Sequence, residues 1–151
     1  MLSLMKLIHL LSIVVWVGGM FFAYVVLRPS AAEVLQPPER LRLWDKVFKQ
    51  FFNWVWLAVF VVLVSGFYMI YLRGGFAGLP MYINLMLLLG IAMVVIYVYV
   101  FFKCYVPFNL QVSRQEWPAA GAMLGKIRKL VAINLSIGLL TIAVVSIGRN
   151  F

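Results

Sequence analysis

Residues 4–27 read LMKLIHLLSIVVWVGGMFFAYVVL, and the fold follows from this stretch. After Lys6 it carries no formal charge until Arg28. About 20 apolar residues in helical form cross the hydrocarbon of a bilayer, and a helix satisfies its own backbone there without water. A membrane strand would be about half as long and would alternate in polarity. A cleavable secretory leader has a hydrophobic stretch of about 7–15 residues. This one is about twice that length, and no A-x-A-like cleavage site follows it. A retained transmembrane helix is expected.

Three further runs of the same kind follow. One covers 51–72 and stops at Arg73; another covers 81–102 and stops at Lys103. The last covers 130–148, with Lys126, Arg128 and Lys129 before it and Arg149 after it. The expected fold is all-α: an integral membrane four-helix bundle forming one domain over residues 1–151. Composition agrees. Hydrophobic residues make up 66% of the chain and charged residues 11%, where a soluble domain is about half apolar and about a quarter charged. Mean hydropathy is +1.05.

The net charge of +9 would suggest nucleic acid in a soluble protein. Here its distribution makes it a topology signal. Arg28, Arg40, Arg42, Lys46, Lys49, Lys103, Arg114, Lys126, Arg128 and Lys129 fall in two connections, and only Lys6, Arg73 and Arg149 fall on the other side. Basic residues stay cytoplasmic. Both termini and the 74–80 turn are therefore expected outside (N-out/C-out) in a bacterial-type inner membrane. The implied partner is the lipid bilayer, with no nucleic acid.

Both basic connections are expected to contain interfacial helix. Pro37-Pro38 pre-sets a helix start, after which Leu41, Trp44, Val47, Phe48 and Phe51 share one face and Arg40, Arg42, Lys46 and Lys49 surround the rest. That pattern predicts an amphipathic lead-in on the anionic inner leaflet before helix 2, with a partner-binding helix as the alternative. Pro118 starts a similar stretch before the fourth span.

Much chemistry is excluded at once. The single cysteine, Cys104, rules out an intrachain disulfide and a Cys-Cys metal site, and the single histidine, His9, rules out a bis-His haem site within one subunit. There is no Gly-rich phosphate loop and no GxSxG elbow, and Glu33, Glu39, Asp45 and Glu116 all lie in polar connections. Inside the spans, His9, Ser12, Trp16 and Met20 form one stripe with Gly19 beside it, while Asn134 and Thr141 are expected to hydrogen-bond across helices.

His9 is the residue with chemical potential, since an ionisable group within a membrane helix marks a functional site by default. It lies roughly 7–8 Å into the span at 1.5 Å per residue. Three roles are open to it. A neutral imidazole can ligate metal through one nitrogen while a neighbour holds the other. For haem b, depth counting places Met69 and Met86 near the level of His9, and Lys6, Arg73 and Arg149 on the same side for propionates. Gly19 and Gly66 would make room for a porphyrin edge. For copper, eight methionines supply soft thioethers, but no Met-x-x-Met run gathers them. The third role is an interfacial polar residue in a non-catalytic structural or accessory subunit. A homodimer bringing two His9 side chains to one haem, or a respiratory-complex partner, would complete the site from outside the chain.

His9-Leu10-Leu11 followed by Trp16-Val17-Gly18-Gly19-Met20-Phe21 resembles the opening helix of the copper-resistance protein D (CopD) superfamily. That superfamily includes the HemJ-like protoporphyrinogen IX oxidases, whose four-helix layout this chain also resembles over nearly its whole length. The resemblance implies that His9 ligates haem. It also implies a lysine in the opening turn of the third helix, where this chain has Asn84 within Tyr82-Ile83-Asn84-Leu85. Reporter fusions test the topology: enzymes active only outside the cytoplasm are expected to work at either terminus, and activity of a cytoplasm-only reporter at the C-terminus would reverse the orientation.

Overall fold

The computed structural model describes residues 1–148. It consists of four helical rods: α1 (Leu2–Val34), α2 (Pro37–Leu72), α3 (Met81–Ser113) and α4 (Trp117–Gly148). No strand occurs among the described residues. All four rods are long and apolar enough to cross a membrane, and the chain is a multi-pass membrane protein. Their outer faces carry exposed large apolar side chains such as Leu10, Phe60, Leu88 and Leu140, which only lipid accommodates. Arg149 lies outside the described residues.

The rods exceed the spans read from hydropathy. The first run, expected to end at Leu27, continues as helix to Val34, and the third continues from Phe102 to Ser113. Each extension passes a proline, Pro29 or Pro107, and each proline follows a π-helical turn, Phe22–Leu27 or Val100–Tyr105. The reason lies in hydrogen-bond accounting. Proline lacks an N–H, and its ring clashes with the carbonyl four residues back. In both rods the residue before the proline donates five residues back instead: Arg28 to the Ala23 carbonyl, Val106 to the Phe101 carbonyl. The widened turn lets the helix pass the ring, as single-turn π-bulges do. Hydropathy stopped at Arg28 and Lys103 because it reports solvent, whereas the helix is held by its own ladder.

Consequently the basic connections shrink to residues 35–36 and 114–116. The amphipathic stretch after Pro37 is present, but it belongs to a 36-residue rod continuous with the span. That rod is roughly 54 Å long at 1.5 Å per residue, against a hydrocarbon core of about 30 Å. Its apolar face does not lie on a leaflet. Leu41, Trp44 and Phe48 are buried in the bundle core, with Val47 and Phe51 packed against it. The partner expected for this face is the chain itself.

α1 packs most extensively on α2, and the Met81–Tyr99 stretch of α3 packs chiefly on α4. The rods alternate in direction, so the start of α1 and the end of α4 share one end with the 73–80 turn; there Gly148 meets Tyr82. Glycine permits two of the close approaches. A side chain at Gly19 would collide with the Phe51 ring, and one at Gly138 would come within 3.0 Å of Val17 and Met93. Aromatic rings fill the core toward the basic end. Phe52 stacks on Phe48 at 5.2 Å and meets Tyr97 and Tyr105 edge-on. The Tyr97 hydroxyl donates to the Phe52 carbonyl at 3.1 Å.

Unlike Tyr97, three aliphatic hydroxyls in the spans bond within their own helices. Ser12 donates to Ile8, Ser136 to Ala132 and Thr141 to Ile137, each four residues back. The expected interhelical bridge from Thr141 is therefore absent, because a nearer carbonyl captures its proton. Asn134 is buried, and its Oδ1 has no partner.

Truncating Phe52, 3% exposed, should destabilise the bundle by about 3–5 kcal/mol, the usual cost for a core Phe→Ala. Phe60→Ala, at a position 65% exposed on the lipid face, should change stability little. Unfolding in detergent micelles checks the contrast, and equal losses would contradict this placement of the core.

Candidate metal-ligating site at the terminal end

His9 stands on the face of α1 that meets α2, seven residues after the helix begins at Leu2. Ser65 and Gly66 stand seven and six residues before α2 ends at Leu72. Because the rods are antiparallel, these positions fall at the same depth. His9 Nδ1 lies 2.8 Å from Ser65 Oγ. A Cβ at Gly66 would stand 3.4 Å from His9 Cε1, so the imidazole lies directly against this position of α2. Ser65 is 2% exposed and His9 is half-buried.

The hydrogen count at Ser65 favours one tautomer of His9. Ser65 has one hydroxyl hydrogen, and its oxygen lies 2.5 Å from the Val61 carbonyl and 3.2 Å from that of Val62. Helical serines commonly bond the carbonyl four residues back, and these two distances favour the helix's own backbone for that hydrogen over His9 Nδ1. The Ser65 oxygen is then left as an acceptor, and His9 Nδ1–H donates to it. In a neutral imidazole the other nitrogen, Nε2, keeps a free lone pair. A ligating histidine commonly has this arrangement, one nitrogen held as N–H by a neighbour and the other presented to the metal.

The other residues expected near His9 are distributed unevenly. Met69 follows Ser65 by four residues, one turn along the same face of α2, and is half-buried. Met86 is half-buried on α3, which over this stretch packs chiefly on α4 rather than α1. Lys6 and Arg73 are exposed at the terminal end. No hydrogen bond or ion pair joins either to His9 among the described residues. Trp16 is in the core, its ring edge-on to Tyr97 at 6.0 Å, two turns from His9. The space expected at Gly19 is taken by Phe51. Beside Trp16, Met20 and Asn134 there remains a cavity of about 20 Å³, room for one water. No group of three or more His, Cys, Asp or Glu able to hold a metal ion occurs among the described residues.

The space expected at Gly66 for a porphyrin edge is occupied by the imidazole of His9, and the pairing of His9 with Ser65 was not expected. A serine-glycine pair at matching depth on the antiparallel neighbour was the available signal.

The family model described as Copper resistance protein D matches residues 45–147, more than half of the chain. The chain belongs to the CopD family. The matched region contains Ser65 and Gly66 but begins after α1, so His9 lies outside it. No curated protein matches the chain, and no solved structure does. Within this CopD-family chain, Asn84 is exposed in the opening turn of α3, where its Nδ2 donates to the Leu79 carbonyl at 3.3 Å.

Nitrogen NMR of this single-histidine protein tests the tautomer directly. Well above the ordinary imidazole pKa of about 6.5, Nδ1 is expected as the protonated nitrogen and Nε2 as the bare one. Ser65→Ala should mix the tautomers, and an Nε2–H form in the unaltered chain would reverse the assignment.

Proposed function

We propose that this CopD-family membrane protein binds haem b through Nε2 of His9, on the outer side of a bacterial-type inner membrane, and serves electron transfer or porphyrin-linked redox chemistry. The carrying observation is the His9–Ser65 pair, which offers one oriented imidazole with a free Nε2. One protein donor would suffice for haem, whose porphyrin itself brings four nitrogen donors to the iron. A bare copper ion would need further protein donors around it.

The residues fit such a group at the bundle surface. The interior does not, since the cavity beside Trp16 holds about 20 Å³. The proposed position is therefore against the half-buried edge of α1 and α2 at His9. There Met69 is the in-chain candidate for a second ligand, with Met86 on α3 further from this edge. Lys6 and Arg73 supply cations for carboxylates at the same end, and Arg149 is their third expected member. Trp16 would act at a distance, holding α1 in the core. A second copy of the chain would cover the exposed face and supply another His9; a respiratory-complex partner would do the same by different contacts. Bound there, haem supplies one-electron transfer. Ser65 holds Nδ1, and Gly66 gives the ring a flat place to lie against α2. Asn84 stands where HemJ-like enzymes have lysine, so the reading stops short of porphyrinogen oxidation.

Copper handling is the second reading, favoured by the family match itself. The absorption spectrum of dithionite-reduced, detergent-purified protein separates the two. A Soret band lost on His9→Ala is expected, with Ser65→Ala weakening haem binding by about 10–100-fold. A colourless preparation from haem-replete cells would defeat the haem reading. Stoichiometric Cu(I) binding in that protein would then establish copper, and neither ligand would leave a structural or accessory subunit.

A further inference from the structure

At the opposite, basic end, α1, α2 and α4 enclose a cleft of about 320 Å³. Arg28 from α1, Arg40 from α2 and Arg128 from α4 line it. No carboxylate forms an ion pair with any of them among the described residues. Three guanidiniums around one space repel each other, and the arrangement lacks only a counter-ion. Its remaining walls are aromatic, from Tyr24, Trp44 and Trp117. The Arg28 guanidinium lies over the Tyr24 ring at 4.4 Å, and Arg42 lies over Trp117 at 5.1 Å, so rings and cations hold each other in place.

The cleft stays open through α4's own sequence. A Cβ at Gly121 or Gly125 would meet nothing within 4 Å, and both residues line the space. Both positions face open space, so a large side chain at either would extend into the cleft.

We propose that this cleft binds the phosphodiester headgroup of an anionic phospholipid from the adjoining leaflet. Guanidinium forks match phosphate oxygens in pairs, whereas a metal cation would be repelled. The lining changes from cationic to apolar and aromatic, which suits an amphipathic ligand; a free inorganic anion gains nothing from tryptophan and tyrosine walls. The location also fits, because the cleft sits where the apolar spans give way to basic residues, the level of headgroups and of the aromatic belt. Exposed Val25 and Val26 on α1 continue from this level along the lipid-facing surface and offer acyl chains a path. A bound headgroup ties α1, α2 and α4 together.

The full chain, purified in detergent and stripped of lipid, is titrated with phosphatidylglycerol, phosphatidylcholine or inorganic phosphate, and bound lipid is counted by native mass spectrometry. One saturable phosphatidylglycerol per chain is expected, at least about tenfold tighter than phosphatidylcholine and not displaced by equimolar phosphate. Combined Arg40→Gln and Arg128→Gln should weaken it roughly 30-fold, about a factor of five per cation lost. Gly125→Leu keeps every cation and fills the space, and should weaken it comparably. His9→Ala should leave lipid binding unchanged, which separates this site from the haem reading. Equal affinity for phosphatidylcholine, or unaltered binding in both the arginine and the Gly125→Leu variants, would overturn the proposal. Displacement by inorganic phosphate would reassign the cleft to a soluble anion.

Discussion

In hydrocarbon there is no water to accept or donate a hydrogen bond, so every backbone polar group of a span must find its partner within the protein. That constraint shapes this molecule at each level. It makes the spans helices. It also determines how the helices survive Pro29 and Pro107: the residue before each proline reaches five residues back, and the ladder resumes beyond. Two rods that would otherwise break at the membrane surface continue well past it. The connections at the basic end become short, and the helices there pack as one bundle.

The same accounting reaches the candidate site. Ser12, Ser136 and Thr141 give their protons to carbonyls of their own helix, and Ser65 stands in the same relation to Val61. A serine that gives its proton to its own helix accepts from His9, which favours the hydrogen on Nδ1. The family match supports the membrane class and the copper connection. The orientation of the imidazole comes from helix packing.

The two ends of the bundle differ in chemistry. The terminal end offers an imidazole nitrogen and few charges. The basic end joins an aromatic core to a cleft of unpaired arginines. Phe48, Phe52, Tyr97 and Tyr105 make the core rigid close to that cleft, so Arg40 and Arg128 project from well-packed helices. Such placement lets a few cations act together on one phosphate.

Hydropathy alone determined the number of spans, their order and the charge asymmetry between the two ends, because solvent preference is a property of each segment by itself. It also singled out His9, since an ionisable group among apolar residues is conspicuous without any neighbour. Helix ends beyond the prolines were not legible, because a π-turn leaves no mark on hydropathy. Nor was the use of Leu41, Trp44 and Phe48, whose apolar face reads the same whether it meets a leaflet or another helix. The partnership of His9 with Ser65, the filling of Gly19 by Phe51, the isolation of Asn134 and the convergence of Arg28, Arg40 and Arg128 were decided by tertiary structure alone. Each depends on how one helix is rotated and shifted against another, and small residues and side-chain packing between helices set that relation.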